Sequence, residues 1–236
     1  MCYKNDDSGF GHALEHDVRC PQSHPLALEF LLMILTDTNL PPGDLLSGAA
    51  AWVAVHQNAD GTLQNPSEVL TYPHAPWWDE GGQHIPASIT ANLMKLDTVS
   101  ETLSGKTRNW VNDNLTIEKI QAEEWLFMLY HPFHYFMQDT EFPDVEKYRQ
   151  ATMQQIITLA EDAPENQAYS YFRFAPTPDS LVAKAAPELT ARLLDALENQ
   201  QQDDGSWVDQ HDLASWSPFT TILVLLTLQR YGKLDR

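Results

Sequence analysis

The densest collection of reactive side chains lies between residues 12 and 24, where His12, Glu15, His16, Asp17, Arg19, Cys20 and His24 crowd together. Glu15 and Asp17 are the pair best suited to chemistry. Two carboxyl groups two residues apart, if turned into an aromatic cavity, lose water and repel each other's charge, which keeps a proton on one beside an ionised neighbour. That combination is a general acid with a base next to it, and His12 is a third candidate for moving a proton. The bland alternative is that Arg19 neutralises one carboxylate in a structural ion pair and the loop is merely anchored.

His12-Ala13-Leu14-Glu15-His16 matches the His-x-x-Glu-His pattern of one zinc peptidase class. The pattern requires a helix that sets both histidines on one face, whereas here it follows a Ser-Gly turn and runs into Asp17-Val18-Arg19-Cys20-Pro21, which reads as loop. No metal is therefore expected. Cys20 has no base arranged for it by sequence. Glycine-rich nucleotide loops, serine nucleophile elbows and paired Cys-x-x-Cys sites are missing too, so no cofactor is expected.

A second group is His74, Trp77, Trp78, Asp79, Glu80 and His84. Adjacent tryptophans in a loop offer flat faces to a sugar ring or a carbocation, although packing is the commoner use of such rings. Trp125, Tyr130, His131, His134 and Tyr135 form a third group that reads as aromatic core, with Pro132 expected to kink a continuing helix. Trp207, Asp209, His211 and Trp216 form a fourth. The ligand-binding expectation rests on His74, Trp77, Trp78, Glu80, Trp207 and Trp216.

The elements that must carry these groups are announced by an internal repeat. Lys4-Asn5-Asp6-Asp7-Ser8-Gly9-Phe10, Gln57-Asn58-Ala59-Asp60-Gly61-Thr62-Leu63 and Gln201-Gln202-Asp203-Asp204-Gly205-Ser206-Trp207 align position by position. Asp and Gly tolerate the left-handed backbone that ends a helix, and the following large apolar residue seals the end. The Gln and Asn side chains are expected to satisfy last-turn carbonyls. Asp7 to Asp60 spans 53 residues and Asp60 to Asp204 spans 144, which is close to three units of about 48.

Between these turns the pattern is helix, loop, helix. Residues 24–36 and 216–228 are apolar almost all round, while Val145, Tyr148, Thr152, Ile156 and Leu159 form a single helical stripe. Further helices are expected over 43–57, 86–96, 100–112, 117–131 and 187–200, the last opened by Pro187. That makes about eight helices, joined in part by three long loops, 10–25, 63–86 and 169–187, where function is to be sought.

Composition bounds the rest. A chain of 236 residues, 43% hydrophobic, can bury a sizeable core and is read as one domain over 1–236. Its apolar runs are too short to span a bilayer, and no leader is visible. Two cysteines point to a reducing cytoplasm. A net charge of -19 repels phosphodiester backbones and anionic lipid, so nucleic acid is not an expected partner.

The unit ending in Gln201-Gln202-Asp203-Asp204-Gly205-Ser206-Trp207, followed by the apolar helix through Leu226, Leu228 and Tyr231, resembles the glutamine-tryptophan repeat of the terpenoid cyclase and protein prenyltransferase toroids. Residues 9–15, Pro76-Trp77-Trp78 and 201–207 are similar to a group of bacterial proteins with prenyltransferase-like repeats. The resemblance implies an all-α fold, an α/α toroid of helical hairpins around a central cavity lined by aromatics and a few acids. Its implied function is acid catalysis on an isoprenoid. The same architecture also serves carbohydrate hydrolases and lyases and noncatalytic domains that bind hydrophobic ligands or proteins.

The Asp-x-Asp-Asp acid of class II cyclases and the Asp-Asp-x-x-Asp magnesium motif of class I synthases are both missing. Asp17 and Cys20 are three residues apart, where prenyltransferase zinc ligands are two apart. Eight helices do not close a ring of about twelve, so an incomplete or open ring is expected. Its exposed inner wall makes a homo-oligomer the expected state.

Overall fold

In a computed structural model, which describes residues 2–78, 82–211 and 213–234, the three repeated segments fold into the same turn. Ser8, Gly61 and Gly205 occupy one position and share a left-handed backbone, with φ of 72°, 90° and 84°. The preceding aspartates, Asp7, Asp60 and Asp204, each accept the backbone N–H two residues on, at 2.9, 3.0 and 3.0 Å. Asn5, Asn58 and Gln202 donate their backbone N–H across the turn to Gly9, Thr62 and Ser206 at 3.0, 2.8 and 2.9 Å. Phe10, Leu63 and Trp207 then turn inward and are buried. Gln57 and Gln201 differ from expectation, donating to the carbonyls of Gly61 and Gly205 and bracing the turn itself, whereas Gln202 donates to the carbonyl of Gln200, which caps the preceding helix.

Among the described residues the fold is mostly helical, with eleven α-helices against the eight expected. No helix among these residues is long and apolar enough to cross a membrane. The chain divides into two compact units, Met1–Lys119 with His134–Val145, and Ile120–Phe133 with Glu146–Arg236.

The first unit is built on α1 (Pro25–Asp37) and α3 (Ala87–Lys95), which pack on each other. His24 caps α1 by accepting the Ala27 N–H on its ring, and Pro25 opens the first turn, where its missing N–H costs nothing. Apolar on nearly every side, α1 is buried on nearly every side, as a helix without a polar face must be. Phe10, Leu28, Leu32, Trp52, Leu63, Ile89, Leu93 and Leu103 fill the core between α1, α2 (Ala49–His56), α3 and α4 (Glu101–Asn114). The helix expected over 43–57 is split, because Gly48 at φ 78° separates a short 3₁₀ turn, Gly43–Leu46, from α2. A two-residue antiparallel ladder, β1 (Leu63–Gln64) with β2 (Gln83–His84), ties the ends of the 63–86 loop together.

The expected helix over 117–131 is also interrupted. It becomes α5 (Ile117–Gln121), a 3₁₀ turn over Leu126–Leu129, and a new helix α6 (Tyr130–Gln138). Pro132 falls in the first turn of α6, where no N–H is needed, so it helps to start that helix and does not kink it. Tyr135 in α6 is fully buried and donates its hydroxyl to Asp139 at 2.7 Å, and Arg108 holds the same carboxylate.

The second unit contains α7 (Val145–Asp162), α8 (Ala168–Tyr171), α9 (Leu181–Ala185), α10 (Pro187–Asn199) and α11 (Ser217–Arg230). Two of these, α8 and α9, occupy the stretch read from sequence as loop. The apolar face of α10, with Leu189, Leu193, Leu194 and Leu197, packs against α8 and α11. Trp207 seals this unit by donating its indole N–H to the Leu197 carbonyl at 2.7 Å.

Candidate functional site

The segment after the first repeat folds back tightly on itself. A Cβ on Gly9 would lie 2.4 Å from Cβ of Ser23, and one on Gly11 would lie 2.3 Å from the Gln22 carbonyl oxygen, so only glycine lets these strands of chain touch. His12 and Ala13 follow in the left-handed region, at φ 58° and 59°. That corner is held by the His12 N–H to the Cys20 carbonyl at 3.0 Å. Two successive non-glycine residues in this region store backbone strain, which persists only where the surroundings enforce it.

Residues 17–19 then pair with residues 73–75. Arg19 donates its N–H to the Pro73 carbonyl at 3.0 Å, Ala75 donates to the Asp17 carbonyl at 2.8 Å, and Val18 bridges His74. This pairing brings two sequence-distant groups together: Glu15 and Asp17 from one loop, and His74, Trp77 and Trp78 from the other. Trp77 donates its indole N–H to Asp17 Oδ2 at 2.8 Å while 55% of its surface stays exposed. Trp78 stacks on His84, centroids 6.2 Å apart at 21°.

Beneath the tryptophans lies a buried polar network. His84 Nε2 meets Glu29 Oε2 at 2.9 Å, and the Ser88 hydroxyl donates to the other oxygen of Glu29. Glu15 is 4% exposed and takes the Asp17 N–H on Oε2 at 2.9 Å. Burial holds its carboxyl well above the usual glutamate range, and the charges of Asp17 and Glu29 push it further, against the pull of two backbone N–H groups. Glu15 thus keeps its proton where an exposed glutamate has lost it.

His24 is fully buried, and burial, reinforced by neighbouring His84, lowers its pKa to about 4. Its Nδ1 accepts the Ala27 N–H at 3.3 Å, so the neutral ring carries its proton on Nε2. That N–H is buried and has no acceptor among the described residues, and the indole N–H of Trp78 is in the same position. Buried donors without partners are costly, and they mark where an oxygen belongs.

The remaining expected residues fall elsewhere. His12 is exposed, bonds Asn5 through Nε2 at 2.8 Å, and lines a cleft that none of Glu15, Asp17, Trp77 and Trp78 lines. Glu80, with Asp79, lies outside the described residues. Trp207 and Trp216 belong to the second unit, where Trp207 is the buried seal described above and Trp216 meets Phe219 edge-on at the head of α11. Arg19 is exposed and forms no ion pair with Glu15 or Asp17. Cys20 is buried, donates its thiol to Gln22 at 3.0 Å, and has a pKa raised by that burial, which makes it a poor nucleophile. Among the described residues no group of His, Cys, Asp and Glu is arranged to hold a metal.

The sequence reading gave no role to Glu29 or Ser88 and left His84 and His24 as neighbours of the site. Glu29 had a signal, being the sole charged residue in the apolar run 24–36. A lone acid in such a helix needs a buried partner. Ser88 carries no comparable mark.

No protein-family model, curated protein or solved structure matches the chain.

Proposed function

We propose that the chain is an acid-catalysing enzyme of the α/α-toroid type, in which Glu15 protonates an uncharged substrate held against Trp77 and Trp78. The observation that carries this reading is Glu15 itself, a carboxyl buried in the loop that pairs with the tryptophan-bearing segment and pushed by that burial well above the usual glutamate range. Three copies of one turn, two of them directly after a helix, support the toroid. Asp17 stays beside the acid with its carboxylate fixed by Trp77, suited to stabilising positive charge that develops after protonation. The aromatic faces serve the same end.

The resemblance in the repeats makes an isoprenoid the substrate class. A glycan is the second reading, favoured by the exposed face of Trp77, whose plane is fixed by its bond to Asp17. Product formation from a panel of isoprenoid epoxides, isoprenoid alcohols and neutral oligosaccharides tests both, with Glu15→Gln as control. Turnover lost in a folded variant supports acid catalysis. Ligand binding without turnover in either protein assigns a noncatalytic role to the site, and loss of folding in the variant assigns Glu15 to anchoring.

A further inference from the structure

A cleft of about 430 Å³ opens in the first unit, lined by Asn5, Asp7, His12, Gln22, Ser23 and His56, with Pro21 and Pro66 supplying apolar surface. Its volume lies within the range of small-ligand pockets, about 300–1,000 Å³. We infer that this cleft is a second ligand site, for the hydroxyl groups of a neutral carbohydrate, with His12 and His56 as its reading heads. The inference does not depend on the chemistry assigned to Glu15.

Part of the lining is a finished framework. Asn5 donates to the Pro21 carbonyl and to Ser23 Oγ, and its carbonyl oxygen meets His12 Nε2 at 2.8 Å. Asp7 takes the Ser23 hydroxyl at 2.7 Å and the Trp52 indole N–H at 3.1 Å. These bonds lock the walls and leave their polar atoms largely spoken for.

Other atoms are not spoken for. His12 uses only Nε2, and His56 uses only Nδ1, which meets the Trp52 carbonyl at 2.8 Å while its ring stacks on Trp52 at 4.4 Å. Each imidazole therefore offers one ring nitrogen without a protein partner among the described residues. Gln22 spends its carbonyl oxygen on the Cys20 thiol, and its amide N–H groups are open. The left-handed corner at His12 and Ala13 fixes where the first imidazole sits, and the stack on Trp52 fixes the second.

The chemistry of this set selects its ligand. Hydroxyls can donate to both open ring nitrogens, which accept because the other nitrogen of each neutral ring gives its N–H to the carbonyl oxygen of Asn5 or Trp52, and a sugar's C–H face suits proline rings. The lining holds no Lys or Arg and includes Asp7, whose bonds to Ser23, Gly9 and Trp52 hold its pKa below the usual aspartate value despite its partial burial. Phosphates and carboxylates are repelled by such a surface. The two histidines and Asp7 are not arranged as a metal site.

The test is titration of the full-length protein with glucose, maltose and cellobiose, read by saturation-transfer NMR and calorimetry, with ethylamine as a cationic comparison. Saturable binding of a sugar is expected. It should weaken at least tenfold in His56→Ala, which alters an exposed residue, and in His12→Gly, which accepts the left-handed backbone while removing the ring. Glu15→Gln should leave it unchanged. Absence of sugar binding by the native protein, binding undiminished in both histidine variants, or binding of ethylamine alone would each overturn the proposal. If sugar binding is lost in Glu15→Gln and kept in the histidine variants, the site is the one under Trp77 and the cleft proposal is wrong.

Discussion

Trp77 and Asp17 are 60 residues apart in the chain, yet the indole N–H of one meets the carboxylate of the other at 2.8 Å. The bond fixes an aromatic plane that is 55% exposed. It also ties down the carboxylate two residues from Glu15, whose own carboxyl is buried and pushed by that burial well above the usual glutamate range. Two acids in one loop are thereby given different surroundings, Glu15 buried and Asp17 bonded to an indole.

Glu15→Gln should stabilise the protein at high pH and not at low pH. Its folded pKa lies above the unfolded value near 4.5, so the folded state keeps a proton that the unfolded chain has released. The resulting stability is full below about pH 4.5 and is lost as pH rises through the folded pKa. Urea midpoints at pH 4.5 and pH 8 check this: the variant should gain on the wild type only at pH 8, and an equal difference at both would show that Glu15 does not titrate in this way.

His24 produces the opposite slope. With a folded pKa of about 4 against an ordinary value of 6.5, it stays neutral while the unfolded chain takes up a proton. Its contribution is present above pH 6.5 and is lost as pH falls toward 4, amounting to about 3 kcal/mol at most. His24→Asn retains a capping side chain for α1 and should flatten stability across that window. The comparison is best made in the Glu15→Gln background, where the opposing acid is absent.

The three turns give a series at one structural position. Gly205→Ala places a methyl group in ordinary contact, 3.7 Å from Gln201 Nε2, at φ 84° and should cost about 1 kcal/mol. Gly61→Ala, at φ 90°, drives the same methyl to 2.8 Å from Trp110 Cβ and 2.9 Å from the Lys106 carbonyl, and should cost about 3 kcal/mol. Ser8→Gly, at φ 72°, relieves a side chain from that region and should be neutral or stabilising by up to about 1 kcal/mol. Denaturant midpoints of the three variants test this order.

These turns were legible in the sequence because an Asp followed by a left-handed residue is a local signal, written in consecutive positions. So were α1 and α11, whose sequences are apolar almost all round, and α10, opened by Pro187. The break before Tyr130 was not, because Pro132 is equally at home in a first turn and at a kink. Glu15, Asp17, Trp77 and Trp78 were recognisable as types, but the pairing of 17–19 with 73–75 that joins them is non-local and too short for strand alternation to mark. His12, three residues from Glu15, was grouped with it by proximity; the bond from its ring to Asn5 sets it in the neighbouring cleft instead.

The most direct test of the acid role is product formation by wild type and Glu15→Gln on the same isoprenoid and oligosaccharide panel, with circular dichroism confirming that both are folded. The account predicts turnover by the wild type and a loss of about 10²–10⁴-fold in the variant, the usual worth of a general acid. Equal turnover by the two folded proteins would contradict it.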